Sequence, residues 1–594
     1  MNRMPRSVRR SPPYWGGAGG GASHYFERFL HIARTIIRKI AYLRNIIAKE
    51  EDHTMAAKRK YPVGIQGFEK IRKDGYVYID KTPLIYKMIT EGCPYFMSRP
   101  RRFGKSLLCS TLEAVFAGRR ELFEAFTTED GIEQPQLFIA TTDWKWHPHP
   151  VFRFDFSQGK IYTTAALEEI IDFTLSKYER QYGLSPKKGE GFNTRMISLV
   201  EEAHRQTGRR AVVIVDEYDA FMLHSIGDKE LEAGVRTIFS NLFGVLKPLD
   251  DHLQFVFITG ISKFSQMGIF STLNNLNNIS MDPDFEALCG ITEEELTAHL
   301  HTDIEMMAEK LGDTYDETFA ALKRTYDGYH FSQCMTDIYN PFSLFNAFYK
   351  SRITDYWFDS ATPSAVFEML SKMPPITLTD IEGVACPASS FDIPFDSYQK
   401  PLPVLYQSGY LTIKSYRRDR NTFTLGLPND EVRRGFANSL YQYATAPVDT
   451  ETSKNTFLQA YYDFADFDDL PAFIEAIKTF FAGIPYHLAE KEDGLDRRER
   501  HYHVILYTLL VAFGADIWAE EATAKGRSDI VLKMPRRIYI AELKVDDTAE
   551  NALAQIDQRG YTDKYRLDGR PITKVGISFS SSERNIIDYQ SIDL

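Results

Sequence analysis

Short apolar runs punctuate the front half of the chain. Pro94–Met97, Ala211–Val215 and Leu253–Gly260 are nearly continuous, and Pro150–Phe156 alternates apolar with charged positions. Runs of this length, rich in β-branched and aromatic residues, predict strands, and continuous apolarity predicts strands covered on both faces. A helical run, Leu107–Leu112, follows the first. Strands alternating with helices imply a parallel α/β sheet whose site lies at the strands' C-terminal ends.

Residues 291–350 read mostly as helices, the first spanning Ile291 to Leu311 behind Gly290, with Thr292-x-x-Glu295 as a capping box. They are expected to form a lid, and Tyr326–Pro341 reads as a loop or short hairpin. The pattern changes after Pro403. A helix ends at Gly409, and strands Tyr410–Ile413 and Thr422–Leu425 flank the charged loop Lys414–Asn421. Helix plus hairpin resembles a winged helix. Its basic tip (Lys414, Arg417, Arg418, Arg420) suits a phosphate backbone, although hairpin tips are commonly charged. Residues 450–490 read as a helical spacer. An amphipathic helix, Glu499–Phe513, then precedes strands at Ala515–Glu520, Ser528–Leu532 and Ile538–Lys544.

Composition narrows the class. A chain of 594 residues, 43% hydrophobic and 25% charged, is a multidomain globular protein. No apolar run approaches the roughly 20 residues that span a bilayer. Five cysteines without a C-x-x-C pair exclude a disulfide scaffold and a Cys-based zinc site, which points to the cytoplasm. Residues 1–54 carry ten Lys/Arg and four acids, so the remainder holds -17 of the net -11. This basic extension, Gly-rich and then amphipathic over Leu30–Ala48, reads as a membrane-surface or targeting helix or, preferably, as sequence upstream of a true start at Met55. The acidic remainder argues against a broad grip on nucleic acid but not against a local basic channel.

The chemistry concentrates in two places. Strand Pro94–Met97 leads through Ser98–Phe103 into Gly104-Lys105-Ser106 and a helix. That layout holds phosphate oxygens on backbone N–H groups at a helix N-terminus, brings a lysine to the β/γ-phosphates and gives Mg²⁺ a hydroxyl ligand. The first glycine of the motif is replaced by Arg99. Downstream, Ala211–Val215 ends in Asp216-Glu217, the first acid for the Mg²⁺ shell and the second to orient or deprotonate water. Thr259 or Ser262 is the candidate γ-phosphate sensor; the alternative for Thr259 is a helix cap.

These residues, with Tyr61–Phe68, Tyr78–Thr82, Arg99–Ser106, Thr259–Ser265 and Tyr326–Tyr329, resemble the AAA-ATPase-like family of bacterial proteins, from about residue 60 to the C-terminus. The resemblance implies that Arg99 is normal there, that Arg101 and Arg102 flank the phosphates, and that a C-terminal domain of the PD-(D/E)xK nuclease superfamily follows. Asp529, Glu542 thirteen residues on, and Lys544 match that superfamily's core. Glu542 and Lys544 share one strand face, which Asp529 reaches if the two strands pair. Two carboxylates hold Mg²⁺ and the lysine assists a water. The resemblance adds Glu499 as an extra acid and Gln555 as a support.

The expected architecture is therefore an extension (1–54), a P-loop AAA-like domain (55–290), a helical lid (291–400), a winged-helix-like and helical region (401–485) and a nuclease-like α/β domain (486–594). The expected function is ATP hydrolysis coupled to Mg²⁺-dependent nuclease action, with DNA as partner, no membrane span, and homo-oligomers open. The alternatives are a nucleotide-dependent signalling or scaffold protein that binds without cutting, and a ring-forming protein-remodelling ATPase.

Overall fold

The computed structural model describes residues 59–92, 94–157, 163–185, 189–221, 228–261, 275–357, 381, 383–388, 391, 401–445, 450–482, 506, 510, 517–523, 526–534 and 536–594. The extension 1–54, Ser262 and Glu499 lie outside these residues, as does most of the expected helix 499–513, of which Leu506 and Leu510 are helical and buried.

The four expected front strands form as β1 (Tyr95–Ser98), β2 (Val151–Asp155), β3 (Ala211–Asp216) and β4 (Leu253–Gly260), with a short β5 (Asn277–Asn278) at the edge. Their spatial order is β2-β3-β4-β1-β5, all parallel. Every residue of β3 is buried, as its unbroken apolar run requires. Parallel neighbours need crossovers, and the helices are α1 (Thr82–Glu91), α2 (Lys105–Phe116), α3 (Thr164–Gln181), α4 (Phe192–Thr207) and α5 (Lys229–Phe243). Leu112 and Val115 of α2, Leu199 of α4, and Phe239 and Phe243 of α5 join the strands in one core. Each such side chain contributes about 1.5–3 kcal/mol on burial. Ser98 pairs with Gly260 and Val215 with Ile258, so the strand ends stand level and their loops meet at one edge.

The lid comprises α6 (Glu293–Leu311), α7 (Tyr315–Tyr326) and α8 (Pro341–Lys350) around its own core of Leu296, Leu300, Ile304, Leu322 and Leu344. The capping box at Thr292 is present, and a second stands at Thr314 and Glu317. The expected loop or hairpin after Tyr326 closes through a two-residue antiparallel pair, Ile291–Thr292 with Ile338–Tyr339. Lys81 and Glu295, 2.6 Å apart, pin the lid to the front.

In the middle region, β6 (Val384–Pro387), α9 (Pro401–Ser408), β7 (Thr412–Arg417), β8 (Thr422–Gly426) and α10 (Asp430–Thr445) give a helix, a three-stranded antiparallel sheet ordered β6-β8-β7, and a second helix. This is the winged-helix-like arrangement. The hairpin is longer than expected because pairing continues to Arg417 opposite Thr422. Lys414 is therefore a strand residue whose ammonium donates to the Pro428 carbonyl at 3.0 Å, and it does not belong to the tip. At the tip Asp419 sits 3.3 Å from Arg417 and 3.7 Å from Arg420.

Helices α11 (Thr450–Phe467) and α12 (Leu470–Ala482) lead to a second five-stranded sheet. It comprises β9 (Ile517–Thr523), β10 (Gly526–Lys533), β11 (Ile538–Val545), β12 (Ile572–Ser580) and β13 (Asn585–Asp593) in sequential order. Only β11 and β12 are parallel, joined over α13 (Ala549–Arg559). One face packs on α11 and α12, with Tyr539 4.9 Å from Phe464 and Phe579 5.2 Å from Phe481, ring to ring. The other face carries α13, which approaches so closely that a Cβ on Gly576 would collide with the Ala549 carbonyl. Among the described residues no helix is long and apolar enough to cross a membrane.

Candidate active sites

The first site is a cleft of about 470 Å³ at the level ends of β1 and β3. Gly104 is the N-cap of α2 at φ 92, and Arg102 stands at φ 69. Left-handed residues at alternate positions curve the chain so that successive N–H groups form an anion-binding concavity. Lys105 is buried and donates to the carbonyls of Arg99 and Pro100, both at 3.0 Å. Its ammonium thus closes the loop on itself, within reach of the cleft it lines. Arg101, Arg102, Ser106 and Glu217 line the same cleft, and Pro62, Ile65, Pro341, Phe342 and Phe345 supply an apolar wall. An apolar recess of about 90 Å³ adjoins it beside Gly104 and Leu107.

Asp216, at the end of β3, is fully buried. Burial pushes its carboxyl up, while the Ser106 hydroxyl and the Arg153 guanidinium oppose that shift. Arg153 sits 3.3 Å from the Asp216 carboxylate, and Asp216 Oδ1 has no hydrogen-bond partner among the described residues. Glu217 follows at φ 51, a left-handed conformation that costs a non-glycine residue on the order of 1 kcal/mol or more.

Arg99, which replaces the motif's glycine, is a structural clamp. It is buried, donates to the carbonyls of Ser98 at 2.9 Å and Ser280 at 2.7 Å, and lies 4.2 Å from the Phe331 ring centre. Thr259 requires a correction. It is buried in β4, and its hydroxyl donates to the Met97 carbonyl at 2.8 Å, so it ties β4 to β1 and does not line the cleft.

The second site lies on the α13 face of the rear sheet. Alternation sends Tyr539, Ala541 and Leu543 into the core beneath α11 and α12, and Ile538 and Ile540 toward α13. Glu542 and Lys544 continue that second series, and Asp529 joins it from β10 beside Val531. The Asp529 N–H faces Glu542 Oε2 at 3.4 Å, and Asp529 Oδ2 accepts from the Leu543 N–H at 2.8 Å. The buried Glu542 accepts a hydrogen bond from Gln555 Nε2 on α13. Asp529, Glu542 and Gln555 are thus brought together, and the half-buried Lys544 shares their face.

Several contributors carried no motif. Tyr561 closes the rear group: burial followed by the Glu542 charge pushes its phenol up, and the Gln555 side chain opposes that shift. At the front, Arg153 was visible only as a charged residue interrupting an apolar strand. A third carboxylate group, Glu293, Asp327 and Asp337 in the lid, already encloses the Lys323 ammonium, which pairs with all three acids.

Comparison with known proteins gives matches over both halves of the chain. A family profile described as predicted AAA-ATPase matches residues 62–270, and one for the PD-(D/E)XK nuclease superfamily matches residues 497–589. An uncharacterized protein in the vnfD 5' region of Azotobacter chroococcum mcd 1 is 33% identical over 542 residues, covering 90% of this chain and 99% of that protein. The chain belongs to the family of predicted AAA-ATPases that carry a C-terminal PD-(D/E)XK nuclease superfamily domain.

Proposed function

We propose that this protein is a cytoplasmic ATP-hydrolysing switch that controls a metal-dependent nuclease acting on DNA. The observation that carries this reading is the gathering of Asp529, Glu542 and Gln555 on one sheet face, with Lys544 on the same face, in a chain that also builds a phosphate-loop cleft.

At the front, the N–H groups opening α2 and the Lys105 ammonium hold the nucleotide phosphates, with Arg101 and Arg102 beside them. Ser106 and Asp216 would hold Mg²⁺; the partnerless buried Oδ1 of Asp216 fits a cation. Glu217 orients and deprotonates the attacking water. At the rear, Asp529 and Glu542 would hold Mg²⁺, an all-oxygen donor set that suits this ion. When bound, the ion lowers the pKa of a water and stabilises charge on the phosphodiester. The Leu543 N–H and the Gln555 amide fix the two carboxylates, so neither has to reorganise during reaction. Lys544 positions the water and offsets charge developing on phosphate oxygens. The family resemblance assigns Glu499, outside the described residues, as an additional acid. Nucleotide binding moves lid helix α8 and the arginine-tipped hairpin, opening the path of DNA to the rear site.

Supercoiled plasmid incubated with the full-length protein, Mg²⁺ and ATP tests the reading. Wild type and the exposed-site variant Glu129→Gln cut, and Glu542→Ala does not. Intact ATPase activity without cleavage of any DNA or RNA favours the signalling or scaffold alternative.

A further inference from the structure

The phosphate loop is held from outside its own sheet. The Arg101 carbonyl accepts a hydrogen bond from the indole Nε1 of Trp357 at 3.0 Å. Trp357 is 1% exposed, and the Tyr410 ring meets it edge-on at 5.5 Å. Gly409, at φ 88, presses against the same loop: a Cβ there would lie 2.6 Å from Pro100 Cβ and 3.4 Å from the Trp357 ring.

Trp357 is held in turn by one carboxylate. Its backbone N–H donates to Glu431 Oε1 at 2.6 Å, and the Tyr356 N–H donates to the same oxygen. Glu431 Oε2 accepts from the Ser343 hydroxyl at 2.8 Å. Ser343 belongs to α8, whose Pro341, Phe342 and Phe345 line the cleft. Arg434, one turn along α10, pairs with Asp355 at 2.6 Å and fastens the same segment again. A buried acid in the first turn of α10 therefore grips both the support of the phosphate loop and the wall of the cleft.

Peptide geometry gives this grip a consequence. The Arg101 carbonyl and the Arg102 N–H share one planar trans peptide and point in opposite directions. Fixing the oxygen on the indole fixes that N–H, one of the donors in the loop's concavity.

We propose that Trp357, held by Glu431, is a positioning residue for the nucleotide phosphates, and that this pair carries the state of the phosphate loop to α10 and the winged-helix-like region. The proposal rests on reading the front cleft as a nucleotide site.

The test uses full-length protein and a fluorescent ADP analogue. Wild type binds and Lys105→Ala does not. Trp357→Phe and Glu431→Ala each weaken binding roughly fivefold, as loss of a buried hydrogen bond does, and together they weaken it no further. Glu431→Gln keeps an acceptor for both N–H groups and restores wild-type affinity, a rescue that general loss of packing would not give. ADP also shifts tryptophan emission in wild type, and the shift disappears in Trp357→Phe. If that variant fails to fold, Ser343→Ala and the Glu431→Ala/Gln pair decide the question from the other end of the link. Equal binding by wild type and Lys105→Ala overturns the nucleotide site itself. Binding that depends on Lys105 but is unchanged in Trp357→Phe and Glu431→Ala overturns this inference alone.

Discussion

Glu431 is a carboxylic acid buried among three donors, and burial pushes its pKa up to about 7. An unfolded glutamate titrates near 4.5. The folded chain thus holds the proton more tightly, and the resulting stability is complete below about pH 4.5 and lost as pH rises through about 7. The difference amounts to about 3 kcal/mol. Urea unfolding followed between pH 4.5 and 8 should show wild type losing about that much relative to Glu431→Gln, which cannot ionise. At the rear site, Gln555→Ala should lower plasmid cleavage roughly 10–100-fold by loosening Glu542, while leaving the unfolding midpoint near that of wild type. The residues legible in the sequence were those whose chemistry is local. Gly104-Lys105-Ser106, Asp216-Glu217 and the Glu542-x-Lys544 pair stand next to one another in the chain. Arg153, Tyr561, Trp357 and Glu431 act through partners brought near by folding: Trp357 and the carbonyl it holds are 256 positions apart.

Among the elements, the front strands and α2 lay where periodicity and the glycine-lysine-serine turn put them, because each is set by its own apolar run. The hairpin β7–β8 differs from expectation at its tip. Lys414 alternates onto a face where a carbonyl awaits it, and a charge count along the chain cannot see that partner. Thr259 differs from expectation for a related reason: a hydroxyl near a strand's end can face the neighbouring strand or the ligand edge, and here it bonds Met97. Two predictions belong to this scale. Gly576→Ala puts a methyl group against the Ala549 carbonyl and should destabilise the rear domain by about 1–3 kcal/mol, read from its urea transition. Arg418→Ala and Arg420→Ala at the hairpin tip should each reduce the salt dependence of DNA binding by about one in the log–log slope, without altering sequence preference.

The whole molecule joins two candidate sites that differ in construction. The front cleft is built at the C-terminal edge of a parallel sheet, where backbone N–H groups and a helix terminus are available for anions. The rear site is built from side chains alternating onto one face of a mixed sheet, where the carboxylates of Asp529 and Glu542 converge. Between them in the chain come the lid and the hairpin region, tied to the cleft through Ser343, Trp357 and Glu431. The central claim, that the first site governs the second, is tested by timing plasmid cleavage in Mg²⁺ with and without ATP, for wild type and Lys105→Ala. ATP should change the wild-type rate at least tenfold and leave the Lys105→Ala rate unchanged. Equal, ATP-independent rates for both proteins would contradict it.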